Sequence, residues 1–262
     1  MMEKRAFGNT GLWVSPIGLG TVKVGRNQQV KYPQAFEIPD DEAVKKLLNT
    51  ALDLGVNLID TAPAYGNSEE RLGNLLPGVR SDWHIVTKVG EEFIEGQSRF
   101  DFSEKHMRFS IERSLKLLKT DYLDTVLVHS NGDDLDIINR CGALDILADI
   151  KAKGLIRSYG MSTKTIEGGL LALEKSDVVM ATYNLQDTRE KPVFEKSAEL
   201  GKAMLVKKAF ASGHLHTHES ALEAFQQIFT MSAVSSIVIG TCNPTHLREN
   251  VELVAASIDL QA

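Results

Sequence analysis

Residues Asp41–Asp60 read DEAVKKLLNTALDLGVNLID. Ala43, Leu47, Leu48, Ala51 and Leu54 fall at helical offsets, so a helix over Asp41–Leu54 carries one apolar stripe. Asp40 stands where a side-chain oxygen accepts from the free amides of the first turn. Gly55 stands where a chain leaves a helix through a left-handed residue. A short apolar run, Asn57–Ile59, follows at once and ends on a carboxylate, Asp60. Strands that are apolar throughout belong in a parallel sheet buried on both faces.

The same unit recurs. Strands are predicted at Ser15–Leu19, Asn57–Ile59, His84–Thr87, Leu123–Val128, Ser158–Met161, Val178–Thr182, Met204–Val206 and Ser236–Ile239. Helices are predicted at Asp41–Leu54, Glu69–Leu76, Glu104–Leu118, Ala143–Lys153, Ile166–Glu174, Pro192–Leu200, Ser220–Phe229 and Pro244–Ala256. Before the first strand, Gly8-Asn9-Thr10-Gly11 punctuates Arg5–Val14 as a β-hairpin. Eight strand–helix pairs predict an α/β fold, a (β/α)8 TIM barrel with an N-terminal β-hairpin, whose usual size is about 250 residues. Residues 1–262 are read as a single barrel domain. A doubly wound open sheet is the alternative, but it calls for a glycine fingerprint after the first strand. Here that strand ends Gly18-Leu19-Gly20-Thr21 and lacks the third glycine. The long excursion from Val22 to Asp40 falls at the C-terminal end of the first strand, the face where barrels keep their active sites.

Composition narrows the classes of function. Of 262 residues, 43% are hydrophobic and 24% charged, ordinary for a globular chain. No apolar run approaches the ~20 residues of a membrane span. The net charge is −6 with no basic block, which argues against a nucleic-acid partner. Met1–Arg5 lead into no apolar segment, and Cys141 and Cys242 form neither a disulfide framework nor a metal cluster. A cytoplasmic enzyme is expected.

Polar residues at strand ends supply candidate chemistry. Asp60 ends the second strand, with Tyr65 five residues on. Lys88 ends the third and His129 the fourth. Barrel topology converges these ends on one mouth. Each residue alone has a structural role available to it: a loop cap, a rim aromatic, an exposed strand end, a buried histidine. Together they form a proton-transfer set. A phenol is a poor acid at neutral pH, and an ammonium beside it is expected to lower its pKa. Asp60 would hold Lys88 charged, and His129 would bond a carbonyl oxygen. Such a set protonates an oxyanion as a hydride arrives from a nicotinamide cofactor.

These segments resemble the aldo-keto reductase family. The resemblance runs from Phe7-Gly8-Asn9-Thr10-Gly11 to Glu249-Asn250. It is strongest in Leu58–Glu69, in Val86-Thr87-Lys88, and in Asp121-Tyr122-Leu123-Asp124 leading to His129. It implies reduction of an aldehyde or ketone, with Tyr65 as general acid, Lys88 and Asp60 tuning it and His129 orienting the carbonyl. The implied cofactor is NADP(H), with NAD(H) the alternative, and the implied partner is a small carbonyl substrate. Gly20 and Thr21 are expected beside the cofactor. Ser162 and Thr163 stand in place of the family's Ser-Asn pair on the nicotinamide carboxamide. Met180 stands in place of a glutamine. Lys207, with Lys208 and Phe210 behind it, stands where an aromatic often stacks. The loop from Gly240 and Thr241 through Asn243 to His246, Glu249 and Asn250 resembles the family's adenosine-phosphate loop, and a helix starting near Pro244 favours an anion there.

Two other readings remain. A cofactor-binding regulatory or accessory subunit would bind nucleotide with little turnover. A Schiff-base lyase would need Lys88 uncharged, against Asp60. His214, His216 and His218 share spacing but lack a fourth ligand, so no metal is expected. Val22, Lys23, Ser130 and Asn131 fall on the substrate side, and Trp13 and Trp83 on the opposite side. After Ala256 only six residues remain, so no long C-terminal loop is expected over the mouth.

Overall fold

The computed structural model describes residues 2–30, 32, 35–211 and 218–260. Its eight barrel strands are β1 (Ile17–Gly20), β2 (Leu58–Asp60), β3 (His84–Val89), β4 (Leu123–His129), β5 (Ile156–Ser162), β6 (Val178–Thr182), β7 (Ala203–Lys207) and β8 (Val234–Ile239). They close into one barrel in chain order, every neighbouring pair parallel. The outer helices are α1 (Asp41–Asp53), α2 (Ser68–Leu75), α3 (Glu104–Leu117), α4 (Ala143–Ala152), α5 (Ile166–Lys175), α6 (Lys191–Leu200), α7 (His218–Phe229) and α8 (Pro244–Asp259). This is the predicted (β/α)8 barrel. Asp40 and Ser103 cap α1 and α3 through their side chains, as their positions predict.

Strand ends differ from the sequence reading for local reasons. Ser15 and Asn57 precede their strands because side chains take over their backbone bonding. The Ser15 amide donates to Asn57 Oδ1 at 2.6 Å, and the Asn57 amide to Ser15 Oγ at 3.0 Å. At the other ends Asp60, Lys88, His129, Ser162 and Lys207 lie within the strands. Polar side chains there face the mouth without disturbing the ladder.

Further elements around the mouth were not expected. A single helical turn, Val22–Gly25, opens the long excursion after β1. A hairpin of Glu91–Ile94 against Gln97–Phe100 follows β3, and a short helix, Asp134–Asn139, follows β4. At four to six residues each, they are too short for hydrophobic periodicity to show. His214 and His216 lie outside the described residues, and His218 opens α7.

Two apolar layers hold the barrel. Between strands and helices pack Ile59, Ile85, Val126, Val179 and Val206 with Leu47, Leu72, Ile111 and Leu147. Inside the barrel pack Leu58, Val86, Leu127, Met180 and Leu205. The Arg5–Ala6 and Trp13–Val14 strands form the N-terminal hairpin. It closes the bottom with Phe7, whose ring lies 4.6 Å from that of His84. No helix among the described residues is long and apolar enough to cross a membrane.

Side chains along a strand alternate between faces. Two residues beyond Leu58, Val86, Leu127 and Leu205 are Asp60, Lys88, His129 and Lys207. The interior apolar layer therefore sets the polar layer above it. Gly160 shows how tightly this is built: a Cβ there would collide with the Val178 carbonyl of the neighbouring strand. Gly160→Ala is expected to destabilise the protein by roughly 1–3 kcal/mol, read as a lower thermal midpoint.

Candidate functional site

A cavity of about 720 Å3 opens at the C-terminal mouth, lined by Asp60, Tyr65, Lys88 and His129 among others. At its floor, Lys88 Nζ donates to Asp60 Oδ1 at 2.6 Å and to the Thr61 carbonyl at 2.9 Å. Both side chains of this ion pair are almost wholly buried. Tyr65 hangs over the pair on the short turn Pro63–Tyr65 that follows β2. Its hydroxyl lies 3.4 Å from Asp60 Oδ2, and Lys88 Nζ lies 4.7 Å from its ring centre. Gly66 makes this placement practicable. Its φ is +63° and ψ −123°, and a Cβ there would strike the Gly25 carbonyl. The His129 ring stands edge-on to Tyr65, 6.3 Å between centres.

The electrostatics differ from the sequence expectation. Burial, followed by the Asp60 charge, raises the Tyr65 pKa well above 10. The Lys88 ammonium is paired to Asp60, whose carboxylate also faces the phenol, so the net shift is upward. Tyr65 is thus a proton carrier that stays loaded at neutral pH. Burial lowers the His129 pKa, Glu91 raises it in part, and Lys88 and Lys207 add to the lowering.

Glu91 was not singled out from sequence. It lies on the hairpin after β3, with Oε2 2.8 Å from His129 Nδ1 and Oε1 accepting from Ser98 Oγ at 2.7 Å. Burial pushes its pKa up, but the histidine contacts outweigh it and hold the carboxyl down at about 2. One signal was available: Glu95-Gly96, both with positive φ, is a two-residue hairpin turn of the kind glycine favours. Arg26 was also missed. Its guanidinium lies 3.5 Å from the Phe93 ring centre, and Nη1 donates to the Ala64 carbonyl at 3.0 Å. It ties the hairpin to the turn that carries Tyr65.

The residues expected around a cofactor divide into two groups. Gly20, Ser162, Met180, Lys207, Lys208, Phe210 and Gly240 line the cavity. Thr21 and Thr163 are fully buried and do not line it. Each follows an inward-facing residue, so the pleat turns it away. Thr21 Oγ1 donates to the Asp60 carbonyl at 2.9 Å and accepts from Ser68 Oγ at 2.7 Å. Thr241, Asn243, His246, Glu249 and Asn250 sit at the start of α8, beyond the cavity lining. There Asn243 caps the helix through Thr245 N at 2.8 Å, and Asn250 Nδ2 donates to the His246 carbonyl at 2.7 Å. Val22 and Lys23 line the cavity. Ser130 instead bonds Asp134, and Asn131 accepts from the Asp133 amide.

Lys207 reaches across the mouth from β7. Its Nζ donates to Ser162 Oγ at 2.9 Å and to the Thr163 carbonyl at 2.6 Å. Burial lowers its pKa to about 7, with Glu190 opposing the shift. In the unfolded chain it titrates at its ordinary 10.5. Between these values the unfolded state binds more protons, so this residue's contribution to stability rises with pH. Lys207→Met is therefore expected to melt higher than wild type at pH 6, with the gap closing toward pH 9. Thermal melts at both pH values check this, and a gap independent of pH contradicts it.

The lining suits an anionic dinucleotide. Seven Lys and Arg residues face four Asp and Glu residues in this cavity, although the chain carries a net charge of −6. The amides at the start of α8 add a further place for an anion.

The sequence model of the Aldo/keto reductase family matches residues 16–227. A crystal structure from Pseudomonas aeruginosa, of a protein assigned as an aldo-keto reductase, superposes with a TM-score of 0.90. It is 51% identical, over 97% of this chain and 95% of that one. The holo form of aldo-keto reductase AKR11C1 from Bacillus halodurans shares the fold, with a TM-score of 0.82 at 24% identity over 100% of this chain and 97% of that one. The oxidoreductase YqkF of Bacillus subtilis is 26% identical over 97% of this chain and 92% of its own. The D-arabinose 1-dehydrogenase of Saccharomyces cerevisiae is 33% identical over 59% of this chain, a match spanning 44% of that relative's length.

Proposed function

The chain belongs to the aldo/keto reductase family of oxidoreductases, and from that premise we propose that it reduces an aldehyde or ketone to an alcohol with NADP(H). One observation carries the reading. Tyr65, the Asp60–Lys88 pair and His129 converge on a single cationic cavity at the barrel mouth. When bound, the nicotinamide supplies the hydride.

The chain's own residues supply the rest. Tyr65 Oη presents its proton to the substrate oxygen. As carbon accepts hydride, that oxygen becomes an alkoxide, which is more basic than a phenolate, so even a weakly acidic phenol protonates it. The Lys88 ammonium below the ring then faces the tyrosinate and stabilises it. Asp60 fixes the lysine in place. His129 orients the substrate oxygen from the opposite side. Ser162 and Lys207 are offered to the nicotinamide end, and the α8 terminus with His246 to the adenosine phosphate. NAD(H) would lose only the phosphate contact. The two free cysteines suit a cytoplasmic setting.

Fluorescence titration with NADPH and NADH, followed by a panel of aldehydes and ketones, tests the reading. Binding of NADPH with turnover of at least one carbonyl compound is expected. Absence of nucleotide binding would overturn it. Tight binding with no turnover across the panel would instead favour an accessory subunit, a reading that the Lys207 contact to Ser162 keeps open.

A further inference from the structure

Lys207 ends β7 two residues beyond the interior Leu205, so its side chain enters the mouth. Register carries the rest of the geometry. Lys207 pairs with Thr182 of β6, while Met180 of β6 and His129 of β4 both pair with Ser162 of β5. Nζ crosses β6 to donate to Ser162 Oγ at 2.9 Å and to the Thr163 carbonyl at 2.6 Å. Its charge therefore ends one strand, roughly 5 Å, from the strand that carries His129. Both of these partners are neutral oxygens. Lys88, the lysine on the other side of the mouth, has a carboxylate at 2.6 Å instead. The Lys207 charge is thus held in place by dipoles, where that of Lys88 is held by an anion.

A hydride donor must come within about 3–3.5 Å of the carbonyl carbon it reduces, and the oxygen of that carbonyl meets Tyr65 and His129. A nicotinamide ring that does so shares the mouth with Lys207 Nζ. The reduced ring is neutral, and the ring that has given up hydride carries one positive charge. The rest of the nucleotide is the same in both states. We propose that Lys207 is a specificity-determining residue for the redox state of the cofactor: its ammonium opposes the cationic ring of the oxidised nucleotide, so the mouth keeps the reduced form and sheds the oxidised one. The inference rests on the carbonyl-reductase reading, which brings a nicotinamide to this mouth.

The charges around Nζ decide when this discrimination operates. Glu190 before α6 and Asp134 after β4 favour the ammonium. Lys208 beside it and Lys164 after β5 oppose it, as burial does. His129 on β4 feels the Lys207 charge in turn and is held back from protonation by it. The balance lets Lys207 titrate at about 7. At pH 6 the side chain is an ammonium and repels a second cation. At pH 9 it is a neutral amine and does not. The oxidised nucleotide should therefore gain affinity relative to the reduced one as the pH rises. The phosphates are common to both nucleotides, so their own attraction to the cavity cancels in the ratio.

Equilibrium titrations with NADP+ and with NADPH, at pH 6 and pH 9, test this without any turnover. In wild type the ratio of the NADP+ Kd to the NADPH Kd is expected to fall about tenfold from pH 6 to pH 9. In Lys207→Met the ratio should stay near the wild-type pH 9 value, within about threefold, at both pH values. Lys207→Arg keeps a charge that pH 9 does not remove, so its ratio should stay near the wild-type pH 6 value throughout. His129 is present in all three proteins, so its own titration is shared by them. A wild-type ratio that does not fall, or a fall that persists in Lys207→Met or Lys207→Arg, overturns the inference while leaving the reductase reading intact. Binding of neither nucleotide to wild type overturns the reductase reading and this inference with it.

Discussion

Tyr65→Phe is expected to lower kcat for carbonyl reduction by about 10²–10⁴-fold, the usual contribution of a positioned proton donor. The substitution removes one oxygen and leaves the ring. Among the described residues that oxygen has one long hydrogen bond, 3.4 Å to Asp60 Oδ2, so stability should change little. Affinity for NADPH should change little as well, because the phenol is offered to the substrate rather than to the nucleotide. A large rate loss with intact folding and intact NADPH binding is thus the expected result. The high Tyr65 pKa adds a second feature: no basic limb from this residue should appear below pH 10, since the phenol stays protonated there. Turnover retained within a few-fold in Tyr65→Phe would remove Tyr65 from the acid's role.

Lys88→Met carries the second large effect, on stability and rate together. The variant leaves Asp60 buried with its charge unpaired. Breaking one partner out of a buried pair costs about 3–5 kcal/mol. For a chain of this size that corresponds to a drop of roughly 10 °C in the thermal midpoint. Asp60→Asn is expected to be milder, because an amide can still accept from the lysine. Lys88→Met also removes the cation that faces a forming tyrosinate, so reduction should fall even in the folded fraction. Melts and single-turnover rates on the same preparation separate the two effects. A midpoint within a degree or two of wild type would contradict the account of the pair.

The barrel was legible because its strands are apolar runs and its helices carry clean stripes. Asp40–Asp60 already contains a cap, a stripe, a left-handed exit and a strand, and each sits in the structure within a residue or two of its expected place. The convergence of Asp60, Lys88 and His129 followed from one fact, that strand ends of a barrel share a mouth. What sequence did not disclose was local and polar. The Glu91–Phe100 hairpin has no apolar alternation strong enough to read, because one strand is half-buried at the rim and the other exposed, and neither packs on the core. Asp134 reads as a loop residue, yet it is buried and accepts from the Lys164 and Thr165 amides, which ties two loops together.

Side-chain parity was the other hidden quantity. Thr163 and Thr21 stand next to cavity residues in the chain and face away from the cavity in space. Lys207 shows the converse. It reads equally as an exposed strand end, but its place two residues beyond the interior Leu205 aims it inward onto Ser162. The Tyr65 electrostatics were misjudged for a related reason. Counting Lys88 alone omits burial and the Asp60 carboxylate, which together raise the pKa.

The central claim is that these residues deliver a proton to a substrate oxygen while hydride reaches its carbon. Reduction of an aldehyde with NADPH bearing deuterium at its transferable position tests it most directly. The account predicts an alcohol with one deuterium on the carbinol carbon, formed by wild type and about 10²–10⁴-fold more slowly by Tyr65→Phe. Firm NADPH binding with no deuterated alcohol from any aldehyde or ketone would contradict it.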